Sequence, residues 1–229
     1  MRSHELDLSQ YESDKVVSGY LDVYDPLFAH LVNQPIKLLE IGIYHGGSLK
    51  LWRDYFPQGQ IVGVDLKLPE TLKNEPRIQM FQGSQDDGPF LHRLVADTAP
   101  DGFDVIIDDA SHLGHLTKAT FWHLFEHLKP GGIYVIEDWG TGYWEDWPDG
   151  RAVQQPGWWS LFWHKIKGNS IKDAWPTHSH GMVAFVKELV DEMGARELTR
   201  ARHFGSPLRE SRFAKVEITM GQVIVWKQT

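Results

Sequence analysis

The sequence contains no cysteine, so disulfides and thiolate metal ligands are both excluded and redox chemistry leaves the compartment open. Positive charge is the next scarcity. Lys and Arg number 23 against 31 Asp and Glu, for a formal net charge of -8, and no basic run relieves the imbalance. Nucleic acid and an anionic membrane surface both demand basic patches, so neither is expected as a partner. No segment approaches the roughly 20 apolar residues of a membrane span. The opening MRSHELDLSQ holds no apolar stretch for a signal peptide, so a cytoplasmic protein is expected. Internal repeats and low-complexity tracts are missing as well. Tryptophan, in contrast, is plentiful: seven of the ten fall between Trp139 and Trp175.

The length suits one α/β domain over residues 1–229, with a helical preface at 1–35 and a Trp-rich lid or insertion at 139–177. The centre of the chain is Phe103 to Trp139. Val105-Ile106-Ile107 stops at Asp108-Asp109, and Tyr134-Val135-Ile136 stops at Glu137-Asp138. Apolar β-branched runs without polar alternation predict strands buried on both faces, as in a parallel sheet covered by helices. Between them, Leu116, Phe121, Leu124, Phe125 and Leu128 have helical spacing, and Lys129-Pro130-Gly131-Gly132 is expected to end that helix. Neighbouring strand axes lie about 4.8 Å apart, so Asp109, Glu137 and Asp138 are expected to converge. Like charges in a small space need a cation or a shared proton, and a metal is the simpler answer.

The remaining elements build outwards from that unit. Residues 36–43 form a first strand that runs through Glu40 and Gly42 into a turn with Gly46 and Ser48. A strand, a glycine-bearing turn and a helix make the nucleotide-binding opening of a Rossmann-like sheet, although the spacing is not G-x-G-x-x-G. Gln60 to Asp65 is the second strand, and Asp65 falls where such folds hold ribose hydroxyls. Ile78 to Gln85 is a third strand leading to Ser84 and Gln85 in a polar turn. Gly181 to Met193 reads as an amphipathic helix, and residues 216–220 and 222–226 as an antiparallel hairpin about Gly221. The expected fold is a mostly parallel seven-stranded α/β sheet with a C-terminal antiparallel hairpin and helices on both faces. In the preface, Tyr20 and Tyr24 either pack on the sheet or line a ligand.

The order LLEIGIYHGGS, IVGVDL, GSQDD, FDVIIDDASH, LKPGGIYVIEDW and TGYW resembles the class I S-adenosylmethionine-dependent methyltransferases. More narrowly, it is similar to the metal-dependent sugar O-methyltransferases of macrolide biosynthesis, the mycinamicin and macrocin type, and to related proteins named cephalosporin hydroxylases. The resemblance implies a Rossmann-like methyltransferase sheet with S-adenosylmethionine held by Glu40, Gly42, Gly46, Ser48, Asp65, Ser84, Gln85, Asp108 and Asp109. It implies Mg²⁺ (or Mn²⁺) on Asp109, Glu137 and Asp138, with His112 as general base. Trp139, Tyr143 and Trp144 are candidates for contact with a small hydroxylated acceptor, a sugar or glycosylated natural product, and a homo-oligomer is expected. Two positions depart from the family pattern: Ser84 stands where relatives commonly carry Asp, and Ser18 where a His follows the Ser13-Asp14-Lys15 motif. The residues leave two alternatives: a non-haem iron hydroxylase on Asp109, His112 and His115, or a donor-binding protein without catalysis.

Overall fold

The computed structural model describes residues 2–152, 162–163, 166–167, 180–200 and 205–229. Five parallel strands, β1 (Lys37–Ile41), β2 (Gln60–Asp65), β3 (Ile78–Gln82), β4 (Phe103–Asp108) and β5 (Leu128–Glu137), continue into an antiparallel hairpin of β6 (Phe213–Ile218) and β7 (Gln222–Lys227). The sheet order is β3-β2-β1-β4-β5-β7-β6, the expected mostly parallel sheet with its C-terminal hairpin. The chain reverses its direction of growth between β1 and β4. In an open α/β sheet the crevice beyond the strand C-termini at that reversal is where ligands bind.

Side chains that alternate along each strand feed two cores. Leu38, Ile61 and Val105 pack with Tyr24, Phe28 and Trp52 from α2 (Leu21–Phe28) and α3 (Gly47–Tyr55). Leu39, Val62, Ile106 and Tyr134 pack on the opposite face with Leu91 of α4 (Gly88–Thr98), Phe121 of α5 (Gly114–Phe125) and Phe185 of α7 (Gly181–Met193). Each such buried side chain stabilises the sheet by about 1.5–3 kcal/mol. No helix among the described residues is long and apolar enough to cross a membrane.

Two expectations change in detail. Lys129-Pro130-Gly131-Gly132 does not terminate α5 directly; the helix ends at Phe125, and the motif begins β5 instead. The register between β4 and β5 shifts between Phe103 and Val105, opposite that motif, which fits the lost ladder donor at Pro130. The preface contains α1 (Asp14–Val17), α2 and short 3₁₀ turns instead of one continuous helix, with Gly19 at φ 73 between α1 and α2.

Of the Trp-rich segment, the structure describes the stretch through Ala152, a 3₁₀ turn at Trp139–Tyr143 followed by α6 (Pro148–Ala152), and a few residues beyond. The rest of the expected lid, with Trp158, Trp159 and Trp175, lies outside the described residues. Buried Asp149 fastens the start of this segment to the fold. Its Oδ2 accepts hydrogen bonds from Gly114 N at 2.7 Å and Met182 N at 2.8 Å, capping the first turns of α5 and α7 together.

Candidate active site

The loops after β1, β2, β3 and β4 surround a cleft of about 1150 Å³ whose wall includes Gly42, Asp65, Ser84, Gln85, Asp109 and His112. Gly42, at φ 98, allows this convergence. A Cβ there would sit 2.1 Å from the Asp109 carbonyl oxygen, so only glycine lets the β1 turn pass the tip of β4. The preface forms another wall through Tyr11, Glu12, Ser13, Asp14 and Val17. It lies so close that a Cβ on Gly47 would meet Glu12 backbone oxygen at 1.9 Å.

The residues expected at a donor divide into those that face the cleft and those that stand behind it. Ser48 lines the cleft and donates to Glu40 Oε2 at 2.8 Å, while Glu40 itself is buried beneath. Gly46 supports the turn as the left-handed residue before α3 and does not face the cleft. Asp65 faces it while its carboxylate accepts from Ile43 N at 2.8 Å and Tyr44 N at 3.1 Å. Gln85 is clamped between Thr120 Oγ1 and Ser111 N, and Ser84 donates to Asp86. Asp108 is also behind the cleft: burial, and then the charge of Asp109, push its carboxyl up to about 8.

Where β4 and β5 end, Asp109, His112 and Asp138 each offer one ligand atom, all within 4.8 Å of one another. His112 Nε2 lies 3.8 Å from Asp109 Oδ1 and 3.9 Å from Asp138 Oδ2. His112 and Asp138 both hold positive φ, 51 and 53, an uncommon conformation for residues with side chains and one that concentrates at functional sites. Thr141 Oγ1 fixes both turns by donating to the carbonyls of His112 and Asp138.

Glu137 faces the other way. Side chains alternate along a strand, so the carboxylate before Asp138 turns inward, fully buried, to Tyr24 on one oxygen and Lys15 Nζ, at 3.0 Å, on the other. The Lys15 ammonium also reaches Asp109 Oδ2 at 2.5 Å and Glu40 Oε1 at 3.2 Å. Burial alone would lower the lysine pKa, but Asp109, Glu137 and Glu40 outweigh it and hold the group charged, well above its ordinary value. Burial raises Glu137 and Glu40, an effect that the ammonium opposes. Tyr20, hydrogen-bonded to Asp138 Oδ1, completes the ring of supports. Lys15 is thus the site residue that the pattern of apolar runs does not reveal, although it sits in the Ser13-Asp14-Lys15 motif.

Among the acceptor candidates, Tyr143 and Trp144 are exposed, whereas Trp139 is half-buried and donates from Nε1 to Thr219 O at 3.0 Å. The ring of Trp147 lies 5.7 Å from that of His112. His115 is exposed at the start of α5 and stands apart from the Asp109, His112 and Asp138 cluster, so the three residues of the iron alternative are not assembled.

Comparison with known proteins finds relatives for part of the chain. No family model matches the chain. It is 46% identical over 144 residues to the 8-demethyl-8-(2-methoxy-alpha-L-rhamnosyl)-tetracenomycin-C 3'-O-methyltransferase of Streptomyces olivaceus, covering 59% of this chain and 36% of that protein. It is 42% identical over 128 residues to the mycinamicin VI 2''-O-methyltransferase of Micromonospora griseorubida, covering 53% of this chain and 31% of the relative. Among solved structures it is similar to the MycE methyltransferase of mycinamycin biosynthesis in complex with Mg and SAH. The TM-score is 0.69 at 30% identity, over 90% of this chain and 49% of that one. The chain is therefore similar in sequence to natural-product sugar O-methyltransferases, and its matched part spans about a third of the length of the curated relatives.

Proposed function

We propose that this chain transfers a methyl group from S-adenosylmethionine to a hydroxyl of a small molecule, a sugar or glycosylated natural product, with the help of Mg²⁺ or Mn²⁺. One observation carries the reading. The cleft that Asp65, Ser84 and Gln85 line is also lined by Asp109 and His112, so a donor held there shares its wall with the acid and imidazole cluster. The relatives named above are sugar O-methyltransferases, and MycE has been solved with Mg, SAH and mycinamycin VI together.

The donor set suits a hard divalent ion. Asp109 and Asp138 each give one carboxylate oxygen to Lys15 or Tyr20 and turn the other towards His112. Two carboxylate oxygens, from Asp109 and Asp138, with no thiolate fit Mg²⁺ or Mn²⁺ and leave the imidazole beside them free for a proton. When bound, such an ion lowers the pKa of a hydroxyl beside it. His112 is the base: its imidazole takes the hydroxyl proton, and Asp109 and Asp138 stabilise the imidazolium that forms. The acceptor oxygen bonds to the donor methyl carbon as the carbon–sulfur bond breaks, and S-adenosylhomocysteine leaves. The cleft walls hold the two reactants in line, which contributes several kcal/mol, of the order measured for well-oriented intramolecular reactions. Tyr143 and Trp144 offer exposed rings on which a sugar face stacks. We also take the protein to work in the cytoplasm, as a homo-oligomer and without a nucleic-acid or membrane partner.

The test is incubation with donor and a panel of demethylated macrolide and tetracenomycin glycosides, followed by mass spectrometry. A product heavier by one methylene, lost with EDTA and restored by Mg²⁺, is expected. Binding of S-adenosylhomocysteine without methylation of any glycoside would favour a donor-binding protein instead.

A further inference from the structure

Lys15 is the only cation among the described residues that reaches Glu40, Asp109 and Glu137, and its side chain is fully buried. It comes from a part of the chain that is not in the sheet. Its place is nevertheless fixed: Ser13 caps α1 by accepting from Lys15 N, and the preceding Glu12 backbone presses on Gly47 at the start of α3. The ammonium approaches the acids from inside the protein, opposite the face that Asp109 and Asp138 show to His112. Asp109 is therefore held at both oxygens, by Lys15 on Oδ2 and towards His112 on Oδ1.

We propose that Lys15 is a positioning residue for the cation site: from beneath, its ammonium fixes the Asp109 carboxylate in the orientation that binds the ion and braces Glu137 beside it. The inference rests on the proposed function only in taking Asp109 and Asp138 as the ligands of a divalent ion. It makes the segment from Ser13 to Lys15 part of the active site. Glu40, the third acid on Lys15, is tied separately to α3 by Ser48 and Trp52.

Two roles for a buried ammonium predict opposite signs. A mere countercharge repels an incoming cation, so its removal leaves divalent-ion binding unchanged or tighter. A positioning group orients the ligand carboxylate, and its removal weakens binding, by the 10–100-fold typical of groups that orient metal ligands. The experiment is Mn²⁺ titration of the full chain followed by electron paramagnetic resonance of the free ion, with S-adenosylhomocysteine binding measured by calorimetry on the same samples. In K15M, Mn²⁺ affinity is expected to fall at least about tenfold while S-adenosylhomocysteine affinity moves less than about threefold. K15R keeps the charge but exchanges a point ammonium for a planar fork, and it should recover part of the loss. If K15M does not fold, K15R decides alone: affinity about threefold or more below wild type supports positioning. Unchanged or tighter Mn²⁺ binding in the folded variants would overturn the proposal and leave Lys15 a countercharge. A wild-type chain that binds S-adenosylhomocysteine but no Mn²⁺ would remove the ion site itself, a failure of the functional reading that is distinct from the first.

Discussion

Two charge clusters in this molecule, each built around a buried group, have opposite balances. Near the C-terminal hairpin, one acid, Glu192, is shared by two cations: Arg209 donates to both of its oxygens, at 2.8 and 2.7 Å, and Arg212 approaches at 3.3 Å. At the strand tips, one cation, Lys15, is shared by three acids. The first cluster is complete, because its acid is well satisfied and its arginines extend to solvent. The second gathers three acids on one ammonium: Glu40 and Glu137 are fully buried, with carboxyls raised by burial, Asp109 is partly exposed, and Asp138 and His112 face outwards beside them. A surplus of buried acids over cations is costly to the fold, and a functional site is where a protein keeps it. The comparison explains why the acidic cluster suits a further cation while the Glu192 cluster has no need of one.

The largest expected effect tests what the surplus is for. His112→Ala should lower methyl transfer by about 10²–10⁴-fold with S-adenosylhomocysteine binding retained, as measured by steady-state kinetics and calorimetry. Near-normal turnover would remove the imidazole as base and leave the acids without a catalytic partner.

Stability measurements sharpen the contrast. Asp149→Ala removes the acceptor shared by two buried backbone N–H groups, and about 1–3 kcal/mol should be lost in urea denaturation. Glu192→Gln should cost about 2 kcal/mol at neutral pH, a figure reduced from the full pKa shift because both arginines are half-exposed. Burial acts to raise the Glu192 carboxyl, but the hydrogen bonds of Arg209 and Arg212 prevail and hold it at about 2, below the ordinary 4.5. Because the folded pKa is the lower one, the contribution is fully present above about pH 4.5. It is lost as pH falls towards 2, so wild type and variant should converge in acid. Glu137→Gln is the smallest expected change in stability. Lys15 keeps two other acids, and burial already raises the Glu137 carboxyl, so its replacement by the neutral amide should cost less than Glu192→Gln at pH 7. A larger cost would show that the two clusters do not differ in balance.

Much of this was legible in the chain. β2 and α7 carry their expected limits, and β4 matches the start of the central stretch, because long apolar runs and helical spacing are local signals that acids or glycines end abruptly. The meeting of Asp109 with Asp138 follows from the pairing of β4 with β5. Two kinds of information were not local. Strand alternation and the positive φ of Asp138 decide that Glu137 turns inward and Asp138 outward, and the apolar run before them does not show where the strand ends its regular twist. Lys15 lies 94 residues from Asp109, in a short helix with no apolar pattern to mark it. A lysine becomes informative only once the acids around it are placed.

The central claim is that a hard ion and the methyl donor share the wall formed by Asp109. Crystals grown with S-adenosylhomocysteine and Mn²⁺, with anomalous data collected near the manganese edge, test it directly. The account predicts a single strong peak about 2.1–2.2 Å from carboxylate oxygens of Asp109 and Asp138, next to the bound nucleoside. No peak there, or a peak at a site remote from the nucleoside, would contradict it.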